Sequence, residues 1–147
     1  MLRIYTDGSA HNNGKKNSIG GFGYIVLNET IPIETYSSHR YRKATNNQME
    51  LLGILTAIER YGNDQEWICI YSDSTYALNT VTEWMYSWCV NGWVKADGNA
   101  PENLDIIKKI YKLIVKKKYK VHFEFVKGHA GIKCNEIADR LANGEKM

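Results

Sequence analysis

One change of repeat constrains this chain more than any other feature. Up to residue 38 the apolar residues follow strand patterns, and beyond residue 45 they shift to helical spacing. Residues 2–7 (L-R-I-Y-T-D) predict a short strand ending in an acid. A Gly/Asn/Lys-rich turn over Asn12 to Asn17 leads into G-G-F-G-Y-I-V-L, a second strand whose glycines imply close packing. After Asn28-Glu29, the stretch I-P-I-E-T-Y-S-S has period-2 character, and Pro32 places it near an edge. Three strands with short connections read as an antiparallel meander. Then Leu51, Ile54, Leu55 and Ile58 recur at i, i+3, i+4, i+7, the apolar stripe of a helix. Thr45-x-x-Gln48 opens that helix as a capping box, and Gly62-Asn63-Asp64 closes it.

The remaining elements follow in turn. W-I-C-I-Y is a buried strand bounded by S-D-S-T, whose hydroxyls can cap a following helix. Leu104, Ile107, Ile110 and Ile114 mark another helix, residues 120–126 alternate as a strand, and residues 133–143 form a last helix. The order βββαβααβα predicts a mixed sheet with helices packed on it, one α/β domain over residues 1–147. At 147 residues the chain holds one sizeable core and not two. No apolar run approaches the roughly 18 to 20 residues that cross a bilayer, and residues 1–7 lack a signal-peptide core. Cys69, Cys89 and Cys134 are odd in number and widely spaced, which predicts reduced thiols in the cytoplasm.

The net charge of +3 permits a nucleic-acid partner without requiring one. Seven lysines crowd Lys108 to Lys120, and Arg40, Arg42 and Lys43 form a second group. A solvated helix face explains the lysines as well as a phosphate-binding surface does.

The carboxylates are more telling. I-Y-T-D-G-S around Asp7 resembles I-Y-S-D-S-T around Asp73, each setting an aspartate where an apolar strand opens into a polar turn. Taken singly, either aspartate reads equally well as a cap or turn former. If the two strands are parallel neighbours, both acids leave the sheet at one edge, where open α/β sheets bind ligands. Glu50 lies on a helix stripe with Asn46, Gly53 and Ala57, and Asp139 sits mid-helix, where Asp is a poor former. An all-oxygen cluster suits hard cations such as Mg²⁺ or Mn²⁺. Like charges about 4 Å apart repel by about 4 kcal/mol at an effective dielectric of 20, a cost that divalent cations remove. Two such ions can activate a water and stabilise the leaving oxygen in phosphoryl transfer.

Five segments, Y-T-D-G-S, T-N-N-Q-M-E-L, I-Y-S-D-S, the tryptophan region from Trp84 to Trp93, and V-K-G-H-A-G…N-E-I-A-D, stand in the order found in type 1 ribonucleases H. The chain resembles that family over nearly its whole length. The resemblance implies a five-stranded mixed sheet, three antiparallel strands followed by parallel additions, in the order 3-2-1-4-5 and flanked by helices. It implies an endoribonuclease that hydrolyses the RNA strand of RNA–DNA hybrids, leaving 5′-phosphate and 3′-hydroxyl ends. Asp7, Glu50, Asp73 and Asp139 would hold two Mg²⁺ ions, with Mn²⁺ a substitute, and His129 would move protons or help product leave. Asn13, Asn46 and Asn47 match contacts to the RNA strand. Thr45, Asn103 and Lys43 match a pocket for a DNA phosphate, and Tyr76, Trp84 and Trp88 match an aromatic channel along the DNA, with Thr75 replacing a longer side chain beside it. Core packing is the other reading of these aromatics, Trp84 above all.

One departure stands out. Relatives with a basic handle carry several Lys or Arg between the second and third tryptophans, where this chain has Cys89-Val90-Asn91-Gly92. A 3′–5′ exonuclease of related fold would need Glu at position 9, which is Ser9. A non-catalytic or weakly active nucleic-acid-binding module is the alternative, and the presence of all four acids argues against it. The expected assembly is a monomer acting on a hybrid duplex, with no membrane partner.

Overall fold

A computed structural model describes the chain except Asn12, Gly14, residues 129–132 and 146–147, and the side chain of His39. Five strands, β1 (Leu2–His11), β2 (Ile19–Asn28), β3 (Ile31–Arg42), β4 (Ile68–Ser72) and β5 (Val121–Phe125), form one sheet in the order β3-β2-β1-β4-β5. The first three pair antiparallel, while β4 joins β1 and β5 joins β4 in parallel. The mixed sheet and its order are those expected.

Two strands run longer than the sequence pattern predicts. β1 does not stop at Asp7, because its pairing with β2 continues to His11 opposite Ile19. What stops near Asp7 is the pairing with β4, which ends at Tyr5 opposite Tyr71. β3 likewise extends to Arg42, with register shifts that absorb its irregular pattern.

Helix α1 (Asn46–Tyr61) starts at Thr45, whose hydroxyl oxygen accepts the Gln48 N–H at 3.0 Å. Its expected stripe, Leu51, Ile54, Leu55 and Ile58, is buried with Ile4, Val26 and Ile70 of the sheet and with Ile107 and Ile110. Each such side chain contributes about 1.5 to 3 kcal/mol.

After β4, α2 (Thr75–Asn79) is capped by Ser74, whose Oγ accepts the Ala77 N–H at 3.0 Å. The helix then widens over Thr80–Trp84 into a π turn before α3 (Met85–Val90). Thr80 and Thr82 donate their hydroxyls to the carbonyls of Tyr76 and Leu78, four residues back, at 2.8 and 2.6 Å. Such back-bonds compete with the helical ladder and bend it. Helix α4 (Leu104–Tyr111) packs on α1 and ends in a second wide turn, Lys112–Lys116, and α5 (Lys133–Ala142) lies across β1, β2 and β3. No described helix is long and apolar enough to cross a membrane.

Candidate active site

The parallel register sets the site. Tyr5 lies opposite Tyr71, and the two rings stack at 4.3 Å. Two residues further on are Asp7, still within β1, and Asp73, just past the end of β4, and their carboxylates come together there. Two glycines then admit helices from opposite sides. Gly8 points toward α1, and a Cβ there would stand 2.6 Å from the Met49 carbonyl oxygen and overlap the Met49–Glu50 peptide. Gly23, opposite Asp7 on β2, points toward α5, and a Cβ there would stand 2.8 Å from the Ala142 nitrogen. With a methyl group at either position, the helices carrying Glu50 and Asp139 could not approach the sheet as they do.

The result is a carboxylate cluster. One oxygen from each of Asp7, Glu50 and Asp73 lies within 4.8 Å of the others. Asp139, on α5, stands outside that set but close enough to act on the titration of Asp7. Gly8 donates its N–H to Asp7 Oδ1 at 2.9 Å, which fixes the rotation of that carboxylate. Burial, with the neighbouring Asp73 charge and the Asp139 carboxyl, pushes Asp7 up to about 7. Burial and the Asp7 charge raise Glu50 well above the usual carboxylate range. Glu50 Oε2 is buried with no hydrogen-bond partner. A buried, unpartnered oxygen on a carboxylate that itself stands in a cluster with two more is poorly matched to protons and well matched to a hard divalent cation. The donor set therefore fits a metal.

The other expected site residues fall in three places. Asn13 Oδ1 accepts the Asn46 N–H at 2.6 Å, and Asn46 Oδ1 accepts the Ala10 N–H at 2.7 Å, so both asparagines tie the end of β1 to the start of α1. Asn47 beside them is exposed. Thr45 spends one lone pair on its cap and keeps its O–H to donate. Lys43 is exposed, with a left-handed φ of 55°.

The third place is aromatic. Tyr76, Trp84 and Trp88 line a groove of about 280 Å³ with Lys95, Pro101 and Glu102. Ring centroids there are 6.2 Å apart for Tyr76–Trp84 and 6.0 Å for Trp84–Trp88. Trp84 is 38% exposed, so it lines the surface and is not core. Asn103 Nδ2 donates to the Tyr76 hydroxyl at 3.4 Å, and Thr75 is exposed at the first turn of α2. His129 lies outside the described residues. Its neighbour Gly128 runs against Asp73, where a Cβ would stand 2.8 Å from Oδ2. Sequence reasoning took the glycines of β2, Gly23 among them, as a sign of close packing without naming what packs there, and it did not single out Gly8, whose signal was a glycine next to an acid.

A mixed sheet that gathers Asp7, Glu50 and Asp73 at one place, with Asp139 on the neighbouring α5, presents oxygen donors suited to a hard divalent cation. The RNase H family model matches residues 1–146. The ribonuclease H of Clostridium botulinum (strain Hall) is 33% identical over an alignment 147 positions long that covers 95% of this chain and 91% of that one. A foamy viral protease-reverse transcriptase solved with an RNA/DNA hybrid superposes with TM-score 0.85 at 22% identity, over 97% of this chain and 19% of that one. LC9-RNase H1, a type 1 RNase H with the type 2 active-site motif, superposes with TM-score 0.74 at 25% identity, over 99% and 73%. The chain belongs to the RNase H family and is an endoribonuclease of RNA–DNA hybrids.

Proposed function

We propose that Asp7, Glu50, Asp73 and Asp139 hold two Mg²⁺ ions, replaceable by Mn²⁺, and that water attacks the phosphorus of the RNA strand. The 3′ oxygen leaves as a hydroxyl, and the phosphate stays on the 5′ end of the downstream fragment. The observation that carries this reading is the convergence of the Asp7, Glu50 and Asp73 carboxylates within 4.8 Å of one another. When bound, the cations supply the Lewis acidity that activates the water and neutralises the leaving oxygen. The protein's own part is to hold the carboxylates still. The Gly8 N–H fixes Asp7, and the α1 and α5 backbones are seated on Gly8 and Gly23. His129, next in sequence to Gly128, moves protons or assists product departure.

Asn13, Asn46 and Asn47 contact the RNA strand, where a side chain that senses the 2′-hydroxyl tells RNA from DNA. Lys43, Thr45 and Asn103 receive a DNA phosphate, and the Tyr76–Trp84–Trp88 groove receives the DNA strand, with Thr75 at its margin. Residues 1–147 act as one domain and as a monomer in the cytoplasm. Three free thiols and scattered exposed apolar residues support the last two assignments. The test is a labelled RNA–DNA hybrid with Mg²⁺, then with chelator, beside duplex RNA and duplex DNA. Cutting confined to the hybrid's RNA strand and abolished by chelator is expected. Binding without cutting would favour a non-catalytic module.

A further inference from the structure

The turn between β1 and β2 is fastened to the joint between β3 and α1. Ser18 donates its N–H to the Lys15 carbonyl at 3.0 Å, and Lys43 donates its N–H to the Ser18 carbonyl at 3.0 Å. Ile19 lies opposite Arg42, and Asn46 donates to Asn13. These links gather Lys15, Lys16, Arg42 and Lys43 at one end of the meander. Arg40 stands two residues before Arg42, at the register shift where β3 carries an extra residue against β2. Lys15, Lys16, Arg40, Arg42 and Lys43 are all exposed.

Acids are sparse in this part of the sequence. Between Gly8 and Met49 the only acidic residues are Glu29 and Glu34. Both stand toward the opposite end of the β2–β3 hairpin, Glu29 with the N-terminal amine at 2.6 Å and Glu34 with Arg60 at 3.2 Å. Among the described residues, none of the five cations takes part in an ion pair.

The patch borders the start of α1. Asn46 is one helical turn from Glu50, about 6 Å along the axis. The other basic group, Lys109, Lys112 and Lys117, shares a cleft with Glu59, nine residues beyond Glu50 or roughly 13 Å along α1. The handle offers no substitute. Val90 is 86% exposed and uncharged, Lys95 stands 3.9 Å from Asp97, and Lys108 lies over the Trp93 ring at 5.7 Å.

We propose that Lys15, Lys16, Arg40 and Arg42 form a backbone-contact surface for the hybrid duplex, supplying the electrostatic affinity that the uncharged handle lacks. The inference rests on the hybrid-cleaving reading, and its partner is a phosphodiester duplex because an uncompensated cationic strip beside the acidic cluster matches a phosphate row. The surface holds the duplex equally in ground and transition states, so it acts on KM and leaves kcat alone.

The test compares three variants with the parent: Lys15→Ala/Lys16→Ala/Arg40→Ala/Arg42→Ala, Lys109→Ala/Lys112→Ala/Lys117→Ala, and Val90→Lys/Asn91→Lys. Hybrid binding is read by fluorescence anisotropy in chelator across a salt series, and KM and kcat are read with Mg²⁺. The fourfold variant is expected to weaken Kd and KM about tenfold or more at ~0.1 M salt. Its log–log salt slope should be shallower by roughly 0.9 for each phosphate that is no longer neutralised. The α4 variant should change little, and Val90→Lys/Asn91→Lys placed in the fourfold background should recover part of the affinity. Circular dichroism and the pairwise variants Lys15→Ala/Lys16→Ala and Arg40→Ala/Arg42→Ala separate a weakened surface from a damaged fold. Parent-like Kd and slope in the fourfold variant would overturn the proposal, as would weakening confined to the α4 variant or a fall in kcat at constant KM. Anisotropy reads the surface even where hybrid cleavage fails, so the two readings fail separately.

Discussion

Removing the Asp7 charge should stabilise the metal-free protein, and only above mildly acidic pH. Asp7 is 4% exposed, and its pKa rises from 3.8 to about 7 on folding. Below about pH 4 the carboxyl is protonated in both folded and unfolded chains, and there is no penalty. Between about 4 and about 7 the unfolded chain has released the proton and the folded chain has not, so stability falls as pH rises. Above about 7 the penalty is complete and constant. At about 1.4 kcal/mol per pH unit, the gap from 3.8 to about 7 amounts to about 4 kcal/mol as an upper figure. Asp7→Asn keeps the side chain's size, removes the buried charge and relieves Glu50 and Asp73. Part of the gain is offset by an amide NH₂ that needs partners. A net gain of about 2 kcal/mol at pH 8 in chelator corresponds to a Tm higher by about 4 to 8 °C for a chain of this size. At pH 4 the two proteins should melt together. Mg²⁺ should raise the parent's Tm at pH 8 and leave the variant's nearly unmoved. Thermal melts from pH 4 to 8, with chelator and with Mg²⁺, supply every comparison. A parent whose metal-free stability holds level or rises from pH 4 to 7 would refute the reasoning.

Gly8→Ala should impair both folding and chemistry, because its Cβ meets α1 backbone that has no flexible end to move aside. Urea unfolding should show destabilisation by about 1 to 3 kcal/mol, and a displaced Glu50 should slow single-turnover cleavage by about 100-fold. Asp73→Asn should abolish turnover at moderate Mg²⁺ while hybrid binding by anisotropy stays within a few-fold of the parent; near-normal turnover would remove Asp73 from the site. His129→Ala should slow cleavage by roughly 10- to 100-fold without abolishing it, the scale of a modest proton-transfer contribution. Unchanged single-turnover and steady-state rates would make that histidine a bystander.

How much of this was legible in the sequence varied with the kind of signal. The level pair of Asp7 and Asp73 was readable because I-Y-T-D and I-Y-S-D repeat the same approach to a strand end, and a parallel register converts that repeat into proximity. Glu50's placement was half readable. Its stripe was visible from helical spacing, but its reach to Asp7 depends on Gly8, whose small size carries no periodic signal. Asp139 reaches the cluster because Gly23 seats α5, a contact between residues far apart in sequence that no local pattern encodes. The wide turns at Thr80–Trp84 and Lys112–Lys116 were invisible, since apolar spacing continues through them. Trp84 could be read as core or surface from its residue type alone, and the structure puts it on the groove wall.

The central claim is that these carboxylates hold two divalent cations against the scissile phosphate of a hybrid. It is tested most directly by crystals of the Asp139→Asn protein, grown with Mn²⁺ and an RNA–DNA hybrid and measured at the manganese absorption edge. Two anomalous peaks are expected, both bounded by Asp7, Glu50 and Asp73 and both touching one phosphate of the RNA strand. Anomalous peaks elsewhere on the protein, or a hybrid seated with its RNA strand away from these acids, would contradict it.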